Sequence, residues 1–172
     1  MSEHEPPSGE LFGNYAELDA LYQELGPGLV RYLRRLLHSS GLAEDVTQEA
    51  FLILVRKWAD VRDHPSPRAW LYKVARNLAF DMLKKHSREF PQGELPDGAG
   101  GEGSDPSDGY DTHLAVWEAI GKLPPRQREA VWLFYFERFK QNEIAAIMHI
   151  QRDTVGALLF QARSRLAGLL AA

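Results

Sequence analysis

Asp45, Gln48 and Glu49, within the stretch AEDVTQEAF at residues 43–51, bring two carboxylates and an amide into one short run. Three chemistries use such a set: a general acid–base pair, an oxygen-donor metal loop, or an acidic docking face. Offsets of three, four and seven residues put Asp45, Gln48, Glu49 and Leu52 on one side of a helix, with Val46, Ala50, Ile53 or Leu54, and Trp58 on the other. A catalytic pair needs burial or polarising neighbours to separate two carboxylate pKa values, and nothing in the sequence supplies them. A metal loop needs a glycine turn and alternating oxygen ligands, which are missing. The acids therefore face water or a partner.

A second stretch, PRAWLYKVARNLAFDMLKKHSR, carries its polar chemistry opposite an apolar stripe of Leu71, Val74, Ala75, Leu78 and Met82. Facing away from that stripe are Lys73, Arg76, Asn77, Phe80, Asp81 and Lys84, with Arg68 at the helix start. Holding a single nucleic-acid strand takes cations along the phosphates, rings for stacking and an amide for an exposed base edge. Trp70 and Tyr72 add stacking surface. The same residues also fit a helix whose Trp70 is core and whose cations merely keep it soluble.

The third stretch, QNEIAAIMHIQRDTVGALLFQARSRL, has the rhythm of a helix-turn-helix. Glu143 to Ala146 give a first helix with small residues at a crossing point, His149 to Gln151 make the turn, and Thr154-Val155 open the second helix. An ordinary helical hairpin or a docking module would share this pattern.

These stretches need helices to position them, and the chain supplies little else. Apolar residues recur at helical spacing through Leu18, Leu21, Tyr22 and Leu25 and then Leu29, Tyr32, Leu33, Leu36 and Leu37, which predicts two helices broken at Gly26-Pro27. Further helices are expected over about 42–59, 67–86, 114–122, 126–137, 141–148 and 152–170, with no sustained alternation of strand type. The segment PQGELPDGAGGEGSDPSDGYD, residues 91–111, holds six Gly, three Pro and six acids with no base, and reads as a flexible acidic linker. The expected fold is all-α: two small helical domains, at 14–90 and 112–172, after a disordered N-terminus at 1–13.

Charge is partitioned in the same way. Residues 1–30 hold six acids and no base, residues 31–90 twelve bases against seven acids, and residues 112–172 eight bases against five acids, within a net charge of −4. Two mildly basic blocks flank an acidic strip, which suits partners contacted on chosen faces rather than polyanions at large. No cysteine is present, so disulfides and thiolate sites are excluded. An acidic start and the lack of a long apolar run read as cytoplasmic, with no membrane partner. Enzyme signatures are missing as well: GAGGEGS lacks the Lys-Ser/Thr ending of a phosphate loop, the six His are scattered, and no nucleophile elbow or zinc spacing occurs. No catalytic residue, metal or cofactor is expected. A stand-alone helix-turn-helix regulator would explain the third stretch but leave the first two without a role.

Taken together, the stretches resemble an extracytoplasmic-function sigma factor, a compact two-domain bacterial transcription initiation factor. "AEDVTQEAF" followed by "AWLYKVARNLAFD" is similar to the signature of that family's promoter-melting domain. "LPPRQREAV" with "NEIAAIM" and "TV" resembles its second domain, so the likeness spans roughly residues 15–90 and 112–170. The resemblance implies that Asp45, Gln48, Glu49 and Leu52 dock on the coiled coil of the largest subunit of core RNA polymerase. It implies a minus-ten DNA-binding role for Arg68, Trp70, Lys73, Arg76, Asn77, Phe80 and Lys84. Asn77 would contact a base flipped from the opening duplex, in a pocket formed by the loop 59–67. The linker would thread toward the RNA path of the polymerase or act as a plain tether. Release after initiation and an anti-sigma factor as a further partner belong to the same implied picture.

The second domain departs from the family pattern. Members show a basic and polar recognition helix after Thr154-Val155, whereas this chain continues Gly156, Ala157, Leu158, Leu159, Phe160, Gln161. Arg126, Arg128, Arg152, Arg163 and Arg165 remain to hold phosphates, Gly156 and Ala157 permit close approach, and Phe160 suits a thymine methyl. With Thr154 and Gln161 these residues imply contact with an unusual minus-thirty-five element. His149 stands where glycine commonly makes the turn, which calls for a positive φ. The end LAGLLAA, closing on Ala171-Ala172, is either a frayed helix or a small uncharged tag of the kind a protease-unfoldase grips, a degradation signal.

Overall fold

The computed structural model describes residues 8–89 and 110–171, whose regular elements are all helices, with no strand among them. Helix α1, Ser8–Leu37, is followed by α2, Ser40–Arg56, and a short α3, Trp58–Val61. Helix α4, Pro67–Glu89, completes the first bundle. The second comprises α5, Tyr110–Gly121, α6, Pro125–Val131, a π-helical turn, Trp132–Phe136, then α7, Gln141–Met148, and α8, Arg152–Ala171. Most of the linker expected at 91–111 lies outside the described residues.

Helix α1 differs from expectation in two ways. It starts at Ser8, inside the stretch read as disordered; a hydroxyl residue followed by Glu10 is a composition that favours a helix start. It also continues through Pro27 without a break. Pro27 cannot donate to the carbonyl one turn back, a loss of about 3 kcal/mol in an isolated helix. Leu25, Leu29, Tyr32 and Leu33, all buried, hold the helix on both sides of the proline, so packing outweighs the local penalty.

The turns are built by local chemistry. Ser39 caps α2 by accepting from the Leu42 amide at 3.3 Å, after His38 reverses the chain at φ 52°. Helix α4 opens at Pro67, where a missing N–H costs nothing, and Ser66 accepts from the Ala69 amide at 3.2 Å. In the second bundle the Glu137 amide reaches the Trp132 carbonyl at 3.0 Å, five residues back, and Arg138 at φ 58° then turns the chain toward α7. His149 takes φ 54° and ψ 43°, the left-handed cap between α7 and α8, as a residue standing where glycine commonly makes the turn must.

The apolar core is continuous across both bundles. Leu29, Leu33, Val46, Ala50, Leu54 and Leu71 fill the first, and Leu133, Ile144, Ile147, Val155 and Leu159 the second. Helix α4 packs against α7, so the bundles meet directly.

Candidate docking and nucleic-acid interfaces

Helix α2 divides cleanly. Ala43, Val46, Ala50, Phe51 and Leu54 are buried, whereas Asp45, Gln48, Glu49 and Leu52 are exposed, Leu52 to 56%. Beside them runs an apolar groove of about 410 Å³ lined by Tyr15, Leu18, Tyr22, Phe51, Leu52 and Val55, with Asp19 and Gln48 at its polar margin. Tyr22 meets Phe51 edge-on with ring centroids 4.8 Å apart. The spacing of Tyr15, Leu18 and Tyr22 was the available signal for this groove. It did not reveal that two of the three rings and side chains stay partly in water, since that depends on where α2 sits.

The seven α4 residues expected at single-stranded DNA are on the helix, but three of them are engaged by the second bundle. Arg76 donates from Nε and Nη2 to the two carboxylate oxygens of Glu129, at 2.6 and 3.3 Å, and lies over the Phe80 ring at 4.4 Å. Arg68 donates to the Glu137 carbonyl at 2.6 Å and stands 3.5 Å from its carboxylate, with its guanidinium 4.0 Å above Phe139. Asn77 is exposed and accepts from His149 Nε2 at 2.9 Å. Trp70, Lys73 and Phe80 are half-buried, and Lys84 is exposed. Tyr72, expected to add stacking surface, is instead fully in the core because it stands one turn from Ala69 and Ala75 on the buried side of α4.

Glu129 and Glu137 are the residues that sequence reasoning missed. Both side chains are almost entirely buried, at 5% and 3% exposure. Glu129 accepts from the Tyr32 hydroxyl at 2.7 Å as well as from Arg76, and Glu137 accepts from the Tyr72 hydroxyl at 2.8 Å. Burial, then the charge of Glu129, pushes the Tyr32 phenol well above its ordinary value. Tyr72 is pushed up likewise by burial and Glu137. Burial alone would lower Arg76, yet the Glu129 hydrogen bond and charge outweigh it and hold the guanidinium above its ordinary range. Arg35 of α1 sits 4.0 Å from Glu137, with its guanidinium 5.0 Å from the Trp117 ring and 5.1 Å from that of Phe136.

On the second bundle, Ala157, Phe160 and Gln161 share an exposed face of α8, with Phe160 69% open to solvent. Thr154 and Gly156 are half-buried near the helix start, and Arg126, Arg152 and Arg165 are exposed. Arg128 donates to the Gly121 carbonyl at 3.2 Å, and Arg163 donates to the Tyr135 hydroxyl at 2.6 Å. Gln161 accepts from Gln127 at 3.2 Å. Ala171 ends α8 exposed, and Ala172 lies outside the described residues. Among the described residues no group of three or more His, Cys, Asp or Glu could hold a metal ion, and no helix is long and apolar enough to cross a membrane.

Residues 21–89 match the family described as Sigma-70 region 2, and residues 113–166 match that described as Sigma-70, region 4. The chain is 29% identical over 156 residues to the ECF RNA polymerase sigma factor SigM of Bacillus subtilis, covering 88% of this chain and 94% of that one. Identity to the ECF RNA polymerase sigma factor SigL of Mycobacterium tuberculosis is 30% over 161 residues, covering 90% and 89%. In three dimensions it is similar to the sigma factor RpoE from Bartonella quintana, solved with the anti-sigma factor NepR, at a TM-score of 0.71 and 21% identity over 91% and 98% of the two chains. CnrH, solved with the cytosolic domain of CnrY, gives 0.61 and 22% over 92% and 90%. A two-domain, all-helical transcription initiation factor is the class these matches define. The chain belongs to the extracytoplasmic-function sigma factors, and its role is promoter-specific initiation of transcription through RNA polymerase.

Proposed function

We propose that this chain docks on core RNA polymerase through Asp45, Gln48, Glu49 and Leu52, with the adjoining groove of α1 and α2 taking an apolar ridge of the same partner. The observation that carries this reading is the single exposed face these four residues share beside that groove. Once the polymerase is bound, the face of α4 holds the non-template strand of the minus-ten element. Arg68, Lys73, Arg76 and Lys84 run along its phosphates, Trp70 and Phe80 offer ring surface, and Asn77 reads a base flipped into the pocket formed by the loop 59–67. Unpairing costs a few kcal/mol per base, which stacking of about 1–3 kcal/mol per base and one amide contact offset. No nucleotide hydrolysis enters.

The second domain, residues 112–172, contacts the minus-thirty-five element in duplex form. Thr154, Gly156, Ala157, Phe160 and Gln161 approach the base edges, and Arg126, Arg128, Arg152 and Arg163 hold the backbone. With few cations on that face, promoter choice leans on the first domain, residues 14–90. The acidic linker at 91–111 joins the two domains, as a channel occupant or a plain tether, and the factor leaves after initiation. It works in the cytoplasm, and an anti-sigma protein is a further partner, as NepR is for the sigma factor RpoE of Bartonella quintana. Ala171-Ala172 serves as a degradation signal. Run-off transcription from a genomic promoter library, with core polymerase alone and with the chain added, tests the whole reading. A shared upstream consensus among the transcripts that need the chain is expected, and its absence would reject the reading.

A further inference from the structure

Gln161 shares the exposed face of α8 with Ala157 and Phe160, and of the three only Gln161 can hydrogen-bond a base edge. A glutamine amide free at both ends suits adenine, whose N7 accepts and whose N6 donates. The Gln161 amide is not free. Its Oε1 accepts from Nε2 of Gln127 at 3.2 Å, and Gln127 is a residue of α6 only 7% exposed.

Burial fixes the direction of that bond. Gln127 Oε1 lies buried without a partner, so one carbonyl already goes unsatisfied. Turning the Gln127 amide over would leave buried N–H groups unpaired instead, and buried donors go unpaired more rarely than buried carbonyls do. Helix α6 packs against α8, which keeps the two amides together. Gln161 thus commits its carbonyl to the protein and keeps its NH2 group for a partner outside. A little further along α8, Arg163 gives Nε to the Tyr135 hydroxyl at 2.6 Å, which leaves both of its Nη nitrogens for a phosphate.

We propose that Gln127 is a positioning residue that holds Gln161 as a hydrogen-bond donor, so that α8 selects guanine at one position of the duplex it reads. Guanine shows two acceptors in the major groove, N7 and O6, and no donor. Cytosine shows only its N4 donor there and is refused, while adenine and thymine, with a single acceptor each, rank between. Arg163, aimed by Tyr135, fixes the register on the backbone and carries no base information. The inference rests on the reading of the second domain as a contact with the minus-thirty-five duplex.

Core polymerase loaded with the chain and offered a duplex promoter library randomised through the upstream element gives base frequencies at every position when the bound fraction is sequenced. The wild type should favour guanine over cytosine about tenfold at one position. Gln161→Ala should flatten that position alone. Gln161→Glu keeps the contact with Gln127 but presents only acceptors, and it should exchange guanine for cytosine there. Gln127→Leu, an apolar side chain of similar size that leaves no buried orphan, frees both ends of the Gln161 amide and should raise adenine to the level of guanine. An unaltered guanine preference in Gln127→Leu, or a wild type that favours cytosine at the position flattened by Gln161→Ala, would overturn the proposal. If Gln161→Ala changes no position, the proposal falls; if Arg163→Ala also leaves affinity for the library unaltered, the duplex-binding reading of the second domain falls with it.

Discussion

His149 donates from Nε2 to Asn77 Oδ1 across 2.9 Å, joining the turn of the helix-turn-helix to the amide of α4 assigned to a flipped base. The bond is exposed and lies between residues 72 apart, so a replacement at either end leaves both cores intact. Asn77→Ala should therefore weaken promoter opening at one base position, by about 1–3 kcal/mol for the preferred base. Permanganate footprinting across promoters varied at single positions measures it. An equal loss at every base would count against base capture.

Charge reversal on α2 separates docking from folding. Asp45→Lys with Glu49→Lys alters two exposed side chains, so thermal unfolding should shift by no more than about 0.5 kcal/mol. Binding to core polymerase, followed by co-purification or biolayer interferometry, should fall below detection. Retained affinity would mean that the docking face lies elsewhere on the chain.

Tyr32 and Tyr72 give the fold a specific alkaline response. Both phenols are raised in the folded chain from an ordinary value of 10.0, by burial and by Glu129 or Glu137. A group raised on folding contributes stability that is whole below its unfolded pKa and is lost as pH climbs above it. Stability measured by urea titration should hold level to about pH 9 and fall from about pH 10 upward. Tyr32→Phe with Tyr72→Phe should flatten that fall, at the expense of two buried carboxylates losing a donor near neutrality. An unchanged alkaline slope in the double variant would show that other groups govern it.

Ala171 closes α8 in an exposed position, and the proposed degradation signal begins there. Ala171→Asp with Ala172→Asp should lengthen the lifetime of the chain in cells several-fold in a translation-arrest chase, with melting unaffected. Equal half-lives would leave the terminus a plain helix end.

Much of this arrangement was legible in the sequence because it is local. Helices α2, α4, α7 and α8 follow from apolar spacing, and the resemblance, which puts His149 where glycine commonly makes the turn, called for the positive φ found there. What stayed hidden depends on distant partners. Nothing near Glu129 in the chain marks it as buried; its phenol partner Tyr32 is 97 residues away and its guanidinium partner Arg76 is 53 away. Glu137 is hidden for the same reason, its hydroxyl partner Tyr72 being 65 residues off. Pro27 misled because a helix end was judged from backbone chemistry alone, while Leu25 and Leu29 anchor both sides of it. Tyr72 was mistaken for surface since its ring chemistry suits stacking as well as it suits a core.

On the proposed function, core RNA polymerase takes its promoter choice from the α2 face and the α4 face together. The most direct test of this is reconstituted run-off transcription on the promoter selected from the library, comparing the wild type with the Asp45→Lys, Glu49→Lys variant and with Asn77→Ala. Transcripts of one defined start are expected with the wild type, none with the first variant, and base-dependent loss with the second. Transcription that proceeds equally with the docking variant, or that never depends on the chain at any promoter, would contradict it.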